Sequence, residues 1–259
     1  MRAPPFTSLA SVYDEIMQDV PYAAWVDFAL REAAHRGWAG GRVLELGCGT
    51  GNATRLLEER GFEVVAVDAS PEMLAVARTK LTRTALVAAD MRDVDLPGRF
   101  TLTLGVFDVV NNLLADDDMP RVVARVLAHL APGGVWAFDA NTSAGLEALW
   151  EGEAVEGWAG EVHYRWRHAW DPVARLATVD AWCEGPAGAF REEHRERPYD
   201  PDELRGLLTE AGFARVDVVC FPSGEPAEAD DPRVWVFATA PGVPARAPSV
   251  AGRPRGGRA

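Results

Sequence analysis

The residues with the most chemistry in them lie near the front of the chain. Val43-Leu44-Glu45-Leu46 is a short apolar run that enters Gly47-Cys48-Gly49-Thr50-Gly51, and an amphipathic segment follows from Asn52. Glycine lets a backbone turn sharply after a strand and lets a ligand approach it closely. Asp68 closes the next apolar run, where an acid can accept hydrogen bonds from ribose hydroxyls. Asp90-Met91 ends the third run, and offers an acceptor for the exocyclic amine of adenine beside a side chain that can pack on its ring. The three sites together describe a nucleoside crevice at the carboxyl ends of strands.

The spacing says which nucleoside. A dinucleotide fingerprint reads G-x-G-x-x-G and sets a pyrophosphate on the helix N-terminus. Here the glycines run G-x-G-x-G from Gly47 to Gly51, and Glu45 stands two residues before the first, an unwelcome neighbour for a pyrophosphate. The pattern fits adenosine carrying an amino-acid tail better than adenosine carrying a diphosphate.

A second set of polar residues falls where strands end or where a later segment could overhang that crevice. Asn111 and Asn112 follow the fourth apolar run; they could hold polar groups of a substrate or form a turn. Asp139 and Asn141 end the fifth, where an acid could orient an amine or cap the loop. His168 and His194 lie in alternating segments; each is a candidate base or a structural histidine. Tyr199 could donate to a substrate or pack under a helix start. Trp150, Trp158, Trp166, Trp170 and Trp182 cluster in one stretch, which suits an aromatic pocket for one or two of them and sheet cover for the rest. Asp116-Asp117-Asp118 reads as a helix start rather than a metal site, and Cys48, Cys183 and Cys220 have no metal-ligand spacing.

The elements that must position these residues can be read from periodicity. Residues 9–36 repeat apolar side chains at helical steps, with Pro21 splitting them into two helices. Strands at 43–46, 62–67, 85–89, 100–106 and 135–138 then alternate with helices, which implies a parallel sheet covered on both faces. Ser70-Pro71 is an N-cap followed by proline at the first helical position. From 161 the pattern changes to strict alternation, and the segments 161–170, 175–183 and 189–197 predict an antiparallel meander of three strands. Asp200-Pro201-Asp202-Glu203 is a capping box that opens a helix to Gly212, and 216–221 with 234–238 predict a closing hairpin.

Composition narrows the function further. The net charge is −13, and the stretch from Pro241 to Ala259 carries four arginines and no acid, so the body before it is more negative still. Such a body repels phosphate backbones and argues against a nucleic-acid substrate. The isolated cysteines and the absence of a basic, apolar leader suggest a reduced, cytoplasmic protein, and no apolar run approaches membrane-spanning length.

The runs ELGCGTG, VDAS-PEML, AADM and LAPGG, in that order, resemble the class I S-adenosylmethionine-dependent methyltransferases over roughly residues 9 to 240. The N-terminal Tyr13-Asp14…Val20-Pro21-Tyr22…Trp25 and the later Glu193-His194-Arg195-Glu196-Arg197…Tyr199 resemble a small-molecule branch with closing N-terminal helices and an antiparallel insertion after the fifth strand. Several members of that branch methylate amines, including amino sugars and glycine. The resemblance implies an α/β, Rossmann-like, seven-stranded, mostly parallel sheet with helices on both faces. It implies a lid at 9–36, an insertion at about 155–198 and one methyltransferase domain over 1–240, while the Pro-, Gly- and Arg-rich composition of 241–259 predicts a disordered basic tail.

By the same resemblance, Gly47, Gly49 and Gly51 line the methionine part of S-adenosyl-L-methionine, Asp68 takes the ribose, and Asp90 with Met91 the adenine. Val106 lies near the sulfonium. Glu45, Cys48, Ala69 and Met73 complete the cofactor set, with Tyr13, Tyr22 and Trp25 from the closing helices. His194, Asn112 and Tyr199 are the candidates for catalysis, and no metal is expected. One departure is Thr101 after Phe100, where the family often has an acid. The expected activity is methyl transfer to N or O of a small-molecule acceptor, by a protein that could form a homodimer. The alternatives are a tRNA or protein methyltransferase, or a binder of the cofactor with a non-methylating role.

Overall fold

The computed structural model describes residues 4–150, 154–186 and 188–242. The N-terminal segment is a 3-10 turn at Leu9–Ser11, the single-turn helix α1 (Tyr13–Ile16) and the longer α2 (Tyr22–His35). Pro21 stands immediately before α2, at the predicted break. The first predicted helix is shorter than its periodicity suggests, because Leu9 and Tyr13 face the insertion instead of continuing one stripe.

The alternation follows as β1 (Val43–Leu46), α3 (Asn52–Glu59), β2 (Val64–Asp68), α4 (Pro71–Lys80), β3 (Ala85–Ala88) and β4 (Phe100–Gly105). A 3-10 turn at Val109–Asn112 leads to α5 (Asp118–His129), β5 (Leu130–Asn141) and α6 (Ser143–Trp150). α4 starts as the sequence predicts: the Ser70 hydroxyl accepts the Met73 N–H at 3.1 Å, with Pro71 next. β5 begins earlier than predicted. Phe100 pairs with Leu130 and Leu102 with Val135, so Pro132-Gly133-Gly134 sits inside the strand as a bulge, with Gly133 at φ +74°.

The insertion has four strands, not three: β6 (Val155–Ala159), β7 (Val162–Asp171), β8 (Leu176–Gly185) and β9 (Gly188–Glu196). β6 is a five-residue edge strand holding a glycine, too short for alternation to reveal it. The predicted alternation of β7 holds, with Val162 buried and Arg165 and Arg167 exposed. Of the clustered tryptophans, Trp166 and Trp170 pack inward beside Leu146, while Trp158 is exposed and stacks on His163. The Trp150 side chain lies outside the described residues.

The chain returns through α7 (Pro201–Glu210) to β10 (Arg215–Val219) and β11 (Arg233–Thr239), the predicted hairpin. The capping box does not form. The Asp200 carboxylate instead accepts the backbone N–H and hydroxyl of Ser143 at 2.8 and 2.9 Å and the Arg175 guanidinium at 2.8 Å. Tertiary partners have taken the side chain that the local pattern assigned to a cap.

The seven-stranded sheet has the order β10-β11-β5-β4-β1-β2-β3, parallel except for β11. On one face Leu46, Val67, Trp136 and Phe138 pack against α5 and α7; on the other Leu104 and Trp235 pack in one cluster with Phe28 of α2 and Leu57 of α3. Burial of each such side chain stabilises the fold by about 1.5–3 kcal/mol. The strand order reverses between β1 and β4, and ligands of open α/β sheets bind outside the carboxyl ends at such a point. Among the described residues no helix is long and apolar enough to cross a membrane, and no group of His, Cys, Asp or Glu is placed to hold a metal. The predicted basic tail lies outside the described residues from 243 onward.

Candidate active site

The loop after β1 takes the shape its glycines allow. Gly47 lies at φ +65°, and a β-carbon there would collide with Val109. Asp68, at the end of β2, fixes the loop from the side. Its Oδ2 accepts the Gly49 N–H at 2.8 Å and its Oδ1 the Ser70 N–H at 2.8 Å. Burial still pushes the Asp68 carboxyl above the ordinary aspartate range.

This loop borders a cavity of about 220 Å³. From β1 it is walled by Glu45, Gly47, Cys48 and Gly49; from β2 and α4 by Asp68, Ala69 and Met73. Asp90 and Met91 close it beyond β3, Val106 beyond β4, and Tyr13 and Tyr22 from the lid. Two predicted members do not line it. Gly51 turns behind the loop, where a β-carbon would press on Leu81 at 3.0 Å. Trp25 is buried behind Tyr22 and Phe107, with the Arg233 guanidinium over its ring at 5.1 Å. Phe6, Thr50, Asn52, Arg92 and Phe107 also border the cavity, although the sequence did not single them out.

The polar groups of this cavity differ in charge. Burial pushes the Glu45 carboxyl up to about 8, and its Oε2 has no hydrogen-bond partner. Hydrogen bonds from Arg92, at 2.9 Å from Nε and 2.5 Å from Nη2, hold Asp90 below its usual range. Burial raises the Tyr13 hydroxyl well above its usual value and Tyr22 to about 12. The lid is tied down at two points near its start. Asp14 accepts the Thr50 hydroxyl at 2.6 Å and Lys80 at 2.6 Å. Glu192 on β9 accepts the backbone N–H groups of Phe6, Ser8 and Leu9 at 2.9, 2.5 and 3.0 Å.

A second cavity of about 430 Å³ adjoins the first, and Phe6, Tyr13, Phe107 and Asn112 border both. Its polar lining comes from Asp108, Asn141, His168, His194, Glu196 and Arg233, with Trp166 and Val179 on the apolar side. Phe107 and Asp108 lie at φ +74° and +50°, consecutive non-glycine residues in the left-handed region. Such backbone persists only where its surroundings enforce it. Asp139, fully buried at the end of β5, supplies that enforcement by accepting the Phe107 N–H at 2.7 Å and the Asp108 N–H at 3.1 Å. Arg233 on β11 bridges Asp139 at 2.6 Å and Asp108 at 2.9 Å. Burial works against its charge, and those two carboxylates outweigh it. Burial, only partly offset by Arg233, raises the Asp139 carboxyl above the usual aspartate range.

The three catalytic candidates separate. Asn112 lies where the two cavities meet. His194 is in the wall of the second, its Nε2 3.2 Å from Glu192 and its ring 4.6 Å from that of Phe6. Tyr199 reaches neither cavity. It is fully buried, and its hydroxyl donates to the Leu113 carbonyl at 2.8 Å, so its place is structural. Asn111 is likewise a staple: its Nδ2 donates to the Asn141 and Arg197 carbonyls at 2.9 and 2.8 Å. Asp108, Glu196 and Arg233 were missed because no local pattern marks them; fold topology brings together residues far apart in the chain.

Comparison with known proteins agrees with this arrangement. Residues 43–134 match the model of a methyltransferase domain. The chain is 32% identical over 190 residues to a dTDP-3-amino-3,6-dideoxy-alpha-D-glucopyranose N,N-dimethyltransferase of Streptomyces fradiae, covering 70% of this chain and 73% of that one. It is 27% identical over 216 residues to the putative methyltransferase YqeM of Bacillus subtilis, covering 80% and 86%. A crystal structure of an S-adenosylmethionine-dependent methyltransferase from Clostridium acetobutylicum superposes with a TM-score of 0.79 at 27% identity, covering 91% of this chain and 98% of that one. A glycine loop on β1, acids at the ends of β2 and β3 and these relatives lead to one assignment: the chain belongs to the class I S-adenosylmethionine-dependent methyltransferases and is an enzyme of that family.

Proposed function

We propose that the enzyme methylates the nitrogen of a small-molecule amine. The observation that carries this reading is the second cavity, which adjoins the cofactor crevice and is lined by the acids Asp108 and Glu196. Its volume of about 430 Å³ lies in the range of small-ligand sites. An oligonucleotide would need an open, basic track, which an acidic chamber roofed by the lid does not offer. The Streptomyces fradiae relative, named as acting on an amino sugar nitrogen, supports an amine acceptor.

In this reading Gly47, Cys48, Gly49 and Glu45 hold the methionine end of the cofactor. Asp68, with Ala69 and Met73 beside it, holds the ribose, and Asp90 with Met91 the adenine. The cavity shape and the unpartnered Glu45 Oε2 fit such a ligand, because a buried carboxyl group calls for a donor such as an ammonium. Bound S-adenosylmethionine supplies a methyl group already activated on a sulfonium. The protein's part is then to align the acceptor with that methyl, exclude water and manage one proton. Tyr13, Phe107 and Asn112, which border both cavities, are placed to set the alignment. The N-terminal segment, tied down by Asp14 and Glu192, keeps water out.

The test is an acceptor screen with purified enzyme and S-adenosylmethionine, scored by release of S-adenosylhomocysteine. Turnover with primary or secondary amines and none with the matching alcohols is expected. Turnover confined to alcohols, tRNA or protein would overturn the proposal.

A further inference from the structure

The second cavity carries more charge information than the choice of an amine uses. Glu192, His194 and Glu196 alternate along one face of β9, and His194 and Glu196 reach the chamber wall. One Glu196 oxygen, Oε2, accepts the amide N–H of Asn141 at 3.0 Å. Asn141 ends β5 and is only 3% exposed, and its own Oδ1 has no hydrogen-bond partner. An unpartnered buried acceptor beside a carboxylate calls for a ligand that brings N–H donors.

The charges around Glu196 say what kind of donor. Asp108 faces it from the turn after β4, Asp139 from β5 and Arg233 from β11. His168 on β7, His194 on its own strand and Tyr13 from the lid complete the titratable lining. Among the described residues Arg233 is the one guanidinium in that lining, and Asp108 and Asp139 already take it. Three acids thus surround one cation. A phosphate entering the chamber would meet carboxylates and an arginine already engaged. An ammonium would supply the charge and the donors that the chamber lacks.

We propose that Glu196, held by Asn141, seats the ammonium of an amine acceptor that carries no phosphate, and takes the proton its nitrogen must give up. This rests on the amine reading above and goes further, naming the residue and the substrate class. The substrate differs in that respect from the dTDP-linked sugar in the name of the Streptomyces fradiae relative. The step balances: the proton moves from nitrogen to the Glu196 carboxylate, the nitrogen lone pair forms the N–C bond, and the C–S pair leaves on sulfur. The product is a methylated ammonium and S-adenosylhomocysteine, and one proton passes from Glu196 to solvent. Burial, reinforced by Asp108, raises the Glu196 carboxyl well above the usual glutamate range. Free amine facing protonated Glu196 and ammonium facing ionised Glu196 hold the same number of protons, so one proton is shared between them.

The test uses the enzyme loaded with S-adenosylhomocysteine and titrated calorimetrically with phenethylamine, tryptamine and cyclohexylamine, their alcohol counterparts and a dTDP-linked amino sugar. At least one amine is expected to bind, its alcohol to bind at least tenfold more weakly, and Glu196→Gln to remove that preference while binding S-adenosylhomocysteine within twofold of wild type. With the amine that binds, turnover by wild type should fall tenfold per pH unit on the acid side. In Glu196→Gln that limb should move toward the amine's own pKa, whereas a merely structural loss would lower activity equally at all pH values. Tighter binding of the dTDP sugar than of every amine, or an unmoved limb in Glu196→Gln, would overturn the inference. So would S-adenosylhomocysteine binding with no amine binding, which leaves the methyltransferase assignment intact. Failure to bind S-adenosylhomocysteine at all would instead count against the cofactor site.

Discussion

The Asp14 carboxylate accepts the Thr50 hydroxyl at 2.6 Å, joining the lid directly to the loop that cradles the cofactor. The same carboxylate accepts Asn52 at 3.0 Å and Lys80 at 2.6 Å, so one side chain of α1 holds the loop, the start of α3 and the end of α4. Burial would raise its pKa, but these donors outweigh burial and hold it below the usual aspartate range. Asp14→Ala should therefore loosen the lid without unfolding the sheet. A charge-assisted hydrogen bond contributes about 1.5–3 kcal/mol, so affinity for S-adenosylhomocysteine should fall roughly tenfold or more. Calorimetry that found an unchanged affinity would show that the lid does not depend on this contact.

The strained turn at Phe107-Asp108 gives a second expectation. Asn tolerates the left-handed region and keeps the shape of Asp, so Asp108→Asn should fold normally. It removes a negative charge that helps raise the Glu196 carboxyl. The acid limb of the pH–rate profile should then move to lower pH, because the carboxylate forms more easily. A limb that stays in place or moves upward would mean that Asp108 does not act on Glu196 through its charge.

Buried Glu45 ties stability to pH. Its folded-state carboxyl, near 8, lies above the unfolded value of about 4.3. The stabilisation of the protonated form is fully present below about pH 4.3 and is lost as pH rises toward 8, at up to about 1.4 kcal/mol per pH unit. Melting curves of the ligand-free enzyme and of Glu45→Gln should therefore diverge between pH 5 and pH 8, with the wild type losing more stability. Parallel curves would show that Glu45 is not a buried acid with a raised pKa.

Tyr199 tests the structural assignment of a residue that the sequence offered for catalysis. Tyr199→Phe removes a buried donor to the Leu113 carbonyl and should cost about 1–2 kcal/mol of stability. Turnover by the folded fraction should stay within twofold of wild type. A large fall in kcat with unchanged stability would return Tyr199 to the chemistry.

The cofactor side of the site was legible because its signals are local. Gly47, Gly49 and Asp68 sit at fixed offsets from strand ends, and Ser70 caps the helix whose start it marks. The acceptor side was not. Arg233 meets Asp139 because β11 lies antiparallel beside β5, and Glu196 meets Asn141 because the inserted sheet folds back over that strand's end. Neither pairing leaves a trace in spacing. Asp200 was misread as a cap for the same reason, and spacing could not choose between the two readings of Tyr199: their tertiary partners, Ser143, Arg175 and Leu113, are distant in the chain. The edge strand β6 escaped because five residues with a central glycine carry too little alternation.

The most direct measurement is calorimetric titration of the wild type and of Asp68→Ala with S-adenosylhomocysteine. Asp68 organises the glycine loop through Gly49 and Ser70 and faces the position assigned to the ribose. One equivalent should bind to the wild type. Loss of those charge-assisted bonds, at about 1.5–3 kcal/mol each, should weaken binding roughly a hundredfold in the variant. Asp68→Ala binding as tightly as wild type would contradict the assignment of this crevice as the cofactor site.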